Sequence, residues 1–147
     1  MQTTINIVPA ADANGQAIKA LLQAEKLPVD DLPTAMDNFF IAVDGGIIIG
    51  TAGLELYGQF GLLRSLVVSP AYRTKNIAAK LIEAVEHKAK VLQLESVYLL
   101  TETAKNYFEK KGYVTAPRAE MPEAVKQSSE FSHVCPVSAV VMKKSIS

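Results

Sequence analysis

The chain has 147 residues, of which 49% are apolar and 20% are charged, and this balance is typical of one soluble globular domain. Lys plus Arg number 15 and Asp plus Glu number 15, so the chain lacks the positive field that nucleic-acid-binding proteins need. No apolar run approaches the roughly 20 residues of a membrane-spanning helix, so no membrane partner is expected either.

A strand and a helix are predicted near the N-terminus. Ile5, Ile7 and Val8 indicate the strand. The helix is indicated by apolar residues at helical spacing, namely Ala17, Ile18, Leu21 and Leu22. Asp12 or Asn14 is expected to cap this helix. Residues 27–36 contain prolines with acidic residues nearby, and we expect a loop with a short helix there.

Three consecutive strands are predicted next, joined by two turns. The strands are Phe39–Val43, Ile47–Tyr57 and Leu62–Val68. Asp44-Gly45-Gly46 indicates the first turn, because glycine supplies positive φ without steric cost. Gly58–Gly61 is expected to form the second turn, and Pro70 to end the third strand.

Helices and strands alternate in the rest of the chain. A long helix is indicated by an apolar stripe, namely Ile77, Leu81, Ile82, Val85 and Ala89. The elements predicted after it are a buried strand at Val97–Leu100, a helix at Ala104–Lys111 ended by Gly112, a helical turn at Pro122–Ser128 and a last strand at Ser138–Met142. This order predicts an α/β fold with a mixed sheet.

The connection between the strand at 62–68 and the long helix is basic and opens directly into that helix. A helix N-terminus carries backbone N–H groups without intrahelical partners and a partial positive charge, so it binds phosphate well. Arg73 and Lys75 add formal charge. The segment therefore predicts a phosphate-binding loop, although an ordinary strand–helix connection with solvated basic residues fits the same pattern.

The stretch LRSLVVSPAYRTKNIAAKLIEAVE, followed by VYLLTETAKNYFEKKGYV, resembles the acetyl-CoA-binding core of the GNAT superfamily of N-acetyltransferases. Together these stretches cover about residues 62–114, and the flanking strands fit the rest of the chain. The resemblance implies a single GNAT domain over residues 1–147, with a mixed central sheet and helices on both of its faces. It also implies acetyl-CoA as cosubstrate and no metal.

In the GNAT family the backbone amides of this loop hold the CoA pyrophosphate, and the pantetheine arm lies between the preceding strand and the next one. By position, the resemblance implies that Leu66, Val67 and Val68 meet the pantetheine. The residues implied to contact the pyrophosphate are Arg73, Thr74, Lys75, Asn76, Ile77, Ala78 and Ala79. Asn106, on the later helix, is implied as one further CoA contact.

Three positions depart from the usual pattern of the family. Its loop glycines fall on Asn76 and Ala78 here. Asparagine tolerates left-handed φ and alanine is small, so phosphate binding is expected to be weakened but not lost. The tyrosine that often protonates the leaving thiolate falls on Phe108, which has no proton to give. Tyr107 is adjacent but on a helix points about 100° away.

The C-terminal half resembles two groups within the family. LTETAKNYFEKKGY, MPEAVKQSSEF and CPVSAVVMKK are similar to the acetyltransferase domain of N-acetylglutamate synthase, and, with GLELYG and LLRSLVV, to small arsenic-resistance N-acetyltransferases. The basic residues with which the synthase binds glutamate are not evident here. Pro136 stands where the synthase has a basic residue, two positions before Ser138, and Asp30 and Asp31 lie in a segment that is basic in the synthase. The resemblance implies an amino acid or an acidic analogue as acceptor, and not necessarily glutamate.

Glu55 and Arg64 are predicted to face each other across two strands. If Gly58–Gly61 form a four-residue turn, two residues lie opposite each other when their numbers sum to 119, as those of Glu55 and Arg64 do. The Cβ atoms of such a pair are about 5 Å apart. Glu55 is then a candidate base for the acceptor ammonium, directly or through water. Arg64 shares a face with Leu66 by the period of two and is a candidate for holding an acidic group of the acceptor. A cross-strand salt bridge of small net value is the alternative.

Other features bear on location and on metal sites. Cys135 is the only cysteine, which excludes an internal disulfide and fits a reducing cytoplasm. We see no basic segment followed by an apolar one at the N-terminus, so no signal peptide is expected. One cysteine and two histidines do not easily build a closed zinc site. His133 and Cys135 are expected to pack in a loop, and His87 to be solvated.

The leading interpretation is an acetyl-CoA-dependent N-acetyltransferase that acts on a small-molecule amine, with Glu55 and Arg64 as its catalytic residues. Two alternatives stay open. One is an enzyme that acetylates a protein or peptide amine, and the other is a GNAT-like domain that binds CoA or an amino acid as a sensor without turnover. A homodimer is also left open.

Overall fold

Helices and strands follow the chain in an order close to the predicted one. The computed structural model describes residues 5–25, 36–73, 76–101, 104–123 and 139–146. Within them the elements are β1 Ile5–Pro9, α1 Gly15–Ala24, β2 Phe39–Asp44, β3 Ile47–Tyr57, β4 Phe60–Val68, α2 Ile77–Val91, β5 Ser96–Thr101, α3 Lys105–Lys110, β6 Val114–Thr115 and β7 Val140–Ser145.

Seven strands form one mixed sheet, in the order β1-β2-β3-β4-β5-β7-β6. β4 and β5 run parallel, whereas the pairs β1–β2, β2–β3, β5–β7 and β6–β7 are antiparallel. The predicted α/β class with a mixed sheet is therefore confirmed. β6 was not predicted, because two residues carry no periodic pattern.

The chain divides into two compact units. The first contains Met1–Leu54 and Ser65–Lys88, and the second contains Glu55–Arg64 and Ala89–Ser147. In the first unit α1 contributes Ile18 and Leu22 to a core that also contains Ala10, Met36, Phe39, Ile41 and Val67. Ile18 and Leu22 are one helical turn apart and fully buried, whereas Leu21 is half-buried and Ala17 is exposed. Two of the four positions of the predicted stripe therefore form the buried face of α1.

Two glycines of β3 allow close packing within the first unit. A Cβ at Gly50 would lie 3.2 Å from Leu81 Cδ1 of α2, and a Cβ at Gly53 would lie 2.6 Å from the Phe39 ring. The buried stripe of α2 contains Ile77, Leu81, Ile82 and Val85. Glycine at position 50 thus lets α2 approach β3 closely, which fixes the start of α2 relative to the sheet.

The second unit has its own apolar core. It consists of Leu62, Tyr98, Ala116, Met121 and Val141, with Tyr57, Phe60 and Leu100 packed against it. α3 ends at Lys110, one residue earlier than predicted, and the predicted stop residue Gly112 follows with a φ of 95°. The Tyr113 N–H returns to the Phe108 carbonyl over 3.0 Å, so the chain leaves the helix through the left-handed glycine turn that is common at helix ends.

Two local predictions were wrong. Asn14 takes the predicted N-cap position of α1, but neither it nor Asp12 caps the helix with its side chain: the Asn14 side chain accepts the Ala11 N–H (2.8 Å), and Asp12 accepts the Met36 N–H (2.8 Å). The second turn is Gly58–Gln59, since β4 begins at Phe60 and not at Leu62. The predictions for residues 27–35 and 124–128 lie outside the described residues.

Candidate functional site

A surface pocket of about 340 Å³ lies in the first unit, where β4 ends and α2 begins. It is lined by Leu66, Val67, Val68, Arg73, Ala78 and Glu25. Five of these six residues belong to the set that the sequence implied for binding CoA, and the structure brings them to one cavity. Glu25, at the end of α1, is the residue that sequence reasoning missed.

β4 contains one residue in an unusual backbone conformation. Ser65 has a φ of +58°, a region that non-glycine residues rarely adopt and that interrupts a strand's regular alternation. Val67 and Val68 are both buried after it, whereas Leu66 is half-buried. The period-of-two argument that gave Arg64 and Leu66 a common face does not hold across such a residue.

Hydrogen bonds from the sheet anchor the connection after β4. The Ser69 N–H donates to the Ile49 carbonyl of β3 over 2.8 Å, and Pro70–Tyr72 form one 3₁₀ turn. The Tyr72 hydroxyl donates to Asp44 Oδ2 of the β2–β3 turn over 2.5 Å. This hydrogen bond, with burial and the charge of Asp44, raises the pKa of Tyr72. The loop therefore leaves the sheet in a fixed direction.

Arg73 lines the pocket and bonds to two of its other lining residues. Its Nε donates to the Val68 carbonyl over 3.1 Å, and its Nη2 forms an ion pair with Glu25 Oε1. The side chain is 54% exposed, so a solvent-borne anion can reach it. Thr74 and Lys75, which were also implied to contact the pyrophosphate, lie outside the described residues.

The first turn of α2 has the geometry expected of an anion-binding helix start. Asn76 has a φ of +60°, and its carbonyl accepts the Lys80 N–H over 3.2 Å. The amides of a first helical turn lack intrahelical partners, so those of Ile77, Ala78 and Ala79 are the ones that a phosphate at this helix start would contact. Ile77 itself is 1% exposed, and its side chain belongs to the core.

The two positions that stand where the family has glycines differ in backbone conformation. Asn76 needs a left-handed φ, which asparagine tolerates better than most residues. Ala78 lies inside α2 without a positive φ, so its small size matters there and its conformational freedom does not. Of these two positions, only Asn76 therefore has a conformational cost that glycine would not have.

In the second unit, Glu55 and Arg64 meet as predicted. Arg64 Nη1 lies 3.2 Å from Glu55 Oε1, with the Arg64 side chain 1% exposed and that of Glu55 22% exposed. The contact forms although the predicted turn length was wrong, because long side chains also reach diagonal neighbours on adjacent strands. A fixed, partly exposed carboxylate beside a buried guanidinium can accept a proton from solvent or from a ligand.

The ladder between β4 and β5 is short. It pairs Phe60–Leu62 with Ser96–Tyr98, whereas on its other side β5 pairs with β7 along its whole length, Ser96–Thr101. Within the second unit, the facing edges of Leu63–Arg64 and Leu99–Thr101 are thus not joined in that ladder. Pairing between these two parallel strands therefore covers only the first part of β4.

On α3, Phe108 is buried and Asn106 is exposed. The Phe108 ring packs edge-on against Tyr107 at 5.5 Å and Tyr113 at 5.6 Å between centroids. Tyr107 is 36% exposed and Phe108 is 7% exposed, so these neighbours point in different directions, as expected on a helix. Burial raises the pKa of Tyr107. The CoA contact of Asn106 stays a prediction.

The remaining side chains bear on a metal site, on the membrane and on the acceptor. In the ranges that the structure describes, no group of three or more His, Cys, Asp or Glu residues is placed to hold a metal ion. None of the helices described there is long and apolar enough to cross a bilayer. Asp30, Asp31, His133, Cys135, Pro136 and Ser138 lie outside the described residues.

Comparison with known proteins gives consistent matches. The profile of the acetyltransferase (GNAT) domain family matches residues 35–115. The amino-acid acetyltransferase of Actinobacillus pleuropneumoniae serotype 5b is 25% identical over 107 residues, which are 71% of this chain and 24% of that protein. The chain therefore spans about a quarter of the length of that curated relative.

Two solved structures are similar over nearly the whole chain. N-acetylglutamate synthase from Neisseria gonorrhoeae, complexed with coenzyme A and N-acetyl-glutamate, has a TM-score of 0.83 at 18% identity, with 100% of this chain and 36% of that chain covered. Rv2747 from Mycobacterium tuberculosis, in complex with CoA, has a TM-score of 0.81 at 20% identity, with 95% and 98% covered. At these identities the likeness shows the fold alone.

Proposed function

Because the chain belongs to the GNAT acetyltransferase family, whose profile matches more than half of it, we propose that it transfers an acetyl group from acetyl-CoA to the amine of a small amino acid. The observation that carries the proposal is the pocket lined by Leu66–Val68, Arg73 and Ala78. It joins an apolar strand end to a cationic side chain and a helix start. A cosubstrate with an apolar arm and a phosphate group matches that combination.

The proposal assigns the two ends of this pocket to two parts of acetyl-CoA. Leu66, Val67 and Val68 contact the pantetheine arm. The amides from Asn76 to Ala79 and the Arg73 guanidinium contact the pyrophosphate, with Thr74 and Lys75 in the same loop. Support comes from Asn76, whose φ of +60° turns the chain into the first turn of α2, where amides and the helix dipole favour an anion.

Glu55 is proposed as the proton acceptor. An amine attacks a thioester carbonyl only through its free lone pair, so an ammonium substrate must first lose a proton. The Glu55 carboxylate is 22% exposed and takes that proton directly or through one water. The nitrogen then bonds to the acetyl carbon, the carbon–sulfur bond breaks, the sulfur leaves with the electron pair, and the nitrogen loses its second proton to solvent as the amide forms. Phe108 cannot protonate that sulfur, so its proton comes from elsewhere.

Arg64 is proposed to position Glu55. Its side chain is 1% exposed and already paired with the carboxylate at 3.2 Å. To hold an acidic group of the acceptor instead, Arg64 would have to exchange Glu55 for that group within a buried site. The burial therefore favours the positioning role over direct binding of the acceptor, and the two roles predict different kinetics.

The acceptor is proposed to be an amino acid or an acidic analogue of one. Support comes from relatives named amino-acid acetyltransferase and from a structural neighbour solved with N-acetyl-glutamate. Those names describe other proteins, and the chain covers only a quarter of the curated ones. A glutamate acceptor is therefore one member of the proposed class.

A turnover assay tests the proposal. CoA thiol release from acetyl-CoA is measured with acidic amino acids, neutral amino acids, polyamines and a peptide amine. Preference for acidic amino acids supports the proposal, and preference for polyamines or the peptide contradicts the acceptor class. CoA binding without turnover of any acceptor would favour the sensor, an alternative suggested by Phe108.

A further inference from the structure

Glu25 occupies a place in the pocket that charge alone does not favour. It follows directly after α1, and its backbone N–H bonds to the Leu22 carbonyl over 3.1 Å, so it sits at the negative end of the helix dipole. The last turn of α1 contains no basic residue. Within the described ranges, the structure brings Arg73, 48 residues away in sequence, to the Glu25 carboxylate.

The same guanidinium lies where the proposed function puts the CoA phosphates. Arg73 has one donor on the Val68 carbonyl and another on Glu25. In this arrangement the positive charge of Arg73 is compensated by Glu25 before any phosphate arrives. An incoming phosphate meets a carboxylate of like charge in the pocket wall, and the two anions compete for the charge of one guanidinium.

We propose that Glu25 is an internal competitor of the CoA phosphates for Arg73. Binding of the phosphate-bearing cosubstrate exchanges a carboxylate for a phosphate on this guanidinium, and Glu25 thereby lowers the affinity for the charged end of CoA. The apolar arm is unaffected, because Leu66, Val67 and Val68 carry no charge. Glu25 is thus a specificity-determining residue, an inference that rests on the proposed function of the pocket.

Titration of charge-matched variants tests this exchange. Wild type, Glu25→Gln and Glu83→Gln are titrated with CoA and with pantetheine, which carries the same arm without phosphates. Glu83 is exposed on α2, so its variant makes the same change in net charge outside the pocket lining. Glu25→Gln should bind CoA about two- to fivefold more tightly, the size usual for partly exposed charge interactions. Pantetheine affinity should not change, and Glu83→Gln should match wild type.

One further measurement separates competition from simple repulsion, and a second tests the electrostatic origin of the gain. In an Arg73→Gln background, Glu25→Gln should no longer improve CoA binding, because no guanidinium is left to release. In protein that keeps Arg73, raising the salt concentration should reduce the gain in CoA affinity caused by Glu25→Gln, since screening weakens interactions between exposed charges. A gain that persists in full without Arg73 would overturn the competition.

Other outcomes also decide the matter. Unchanged CoA affinity in Glu25→Gln would mean that the ion pair does not oppose binding. Weaker affinity would mean that Glu25 holds Arg73 ready for phosphate, which is the opposite of the proposal. Wild-type protein that binds no CoA would overturn the proposed function and the inference with it, whereas wild-type binding without a Glu25 effect overturns the inference alone.

Discussion

Replacing Asn76 by glycine tests the role proposed for the backbone conformation of the phosphate-binding loop. Asn76 has a φ of +60° at the start of α2. A left-handed conformation costs an ordinary L-residue about 1–2 kcal/mol, and less for asparagine. Glycine removes that cost but loses about 0.5–1 kcal/mol of chain entropy. Asn76→Gly should therefore change the free energy of unfolding by between about 0 and +1 kcal/mol, whereas Asn76→Ala should lower it by about 1 kcal/mol.

These energies convert to measurable shifts of the unfolding midpoint. With an unfolding entropy of about 2.1 cal/mol/K per residue, 1 kcal/mol corresponds to about 3 °C for 147 residues. Thermal unfolding should place Asn76→Gly at or up to about 3 °C above wild type and Asn76→Ala about 3 °C below it. CoA affinity of Asn76→Gly, by isothermal titration, should equal or exceed that of wild type, since glycine lets the backbone approach phosphate more closely.

Gln93 supplies a matched control. It also has a φ of +60° but follows the other end of α2. Gln93→Gly should raise the midpoint at least as much as Asn76→Gly, because glutamine tolerates this region less well, and it should leave CoA affinity unchanged. If Asn76→Gly folds but loses CoA binding, or if Asn76→Ala is as stable as Asn76→Gly, the reasoning about this loop is refuted.

Three other predictions concern single side chains. Arg73→Glu should weaken CoA binding about tenfold or more, as expected for a lost charged hydrogen bond; unchanged affinity in a titration would count against the site. Arg64→Lys keeps the charge but loses the fork, so a positioning role predicts a lower kcat with a nearly unchanged KM for the acceptor, and a rise confined to KM would assign Arg64 to the acceptor itself. The hydrogen bond to Asp44 raises the pKa of Tyr72 above 10.0, so the stability it adds is complete below pH 10 and is lost as pH rises through the raised pKa. The midpoint of Tyr72→Phe should lie below that of wild type at about pH 8 and approach it above about pH 10, and a gap independent of pH would contradict this.

The sequence was most informative where its signal is local. The stripe from Ile77 to Ala89 and the Asp44–Gly46 turn depend on spacing and on glycine, and both were placed correctly. The Glu55–Arg64 contact was also predicted, because two consecutive strands joined by a short turn bring few alternatives together. Most of the pocket lining came from the family resemblance and not from periodicity.

Features that depend on tertiary packing were missed. Glu25 reaches Arg73 across 48 residues of sequence, and nothing local to either residue indicates that contact. Ser65 adopts a φ of +58° within an apolar strand, although serine is not a usual left-handed residue and the flanking residues favour regular strand. One signal was available for the turn at Gly58–Gln59, since two-residue hairpins are commoner than four-residue ones.

Isotope transfer tests the central claim most directly. The protein is incubated with CoA carrying a ¹³C-labelled acetyl group and with an acidic amino acid, and the product is analysed by mass spectrometry while free thiol is counted. The account predicts labelled N-acetyl amino acid in equal amount to released CoA, with Glu55→Gln slower by about 10²–10⁴-fold. Thiol release without labelled N-acetyl product, or a folded Glu55→Gln protein with the wild-type rate, would contradict it.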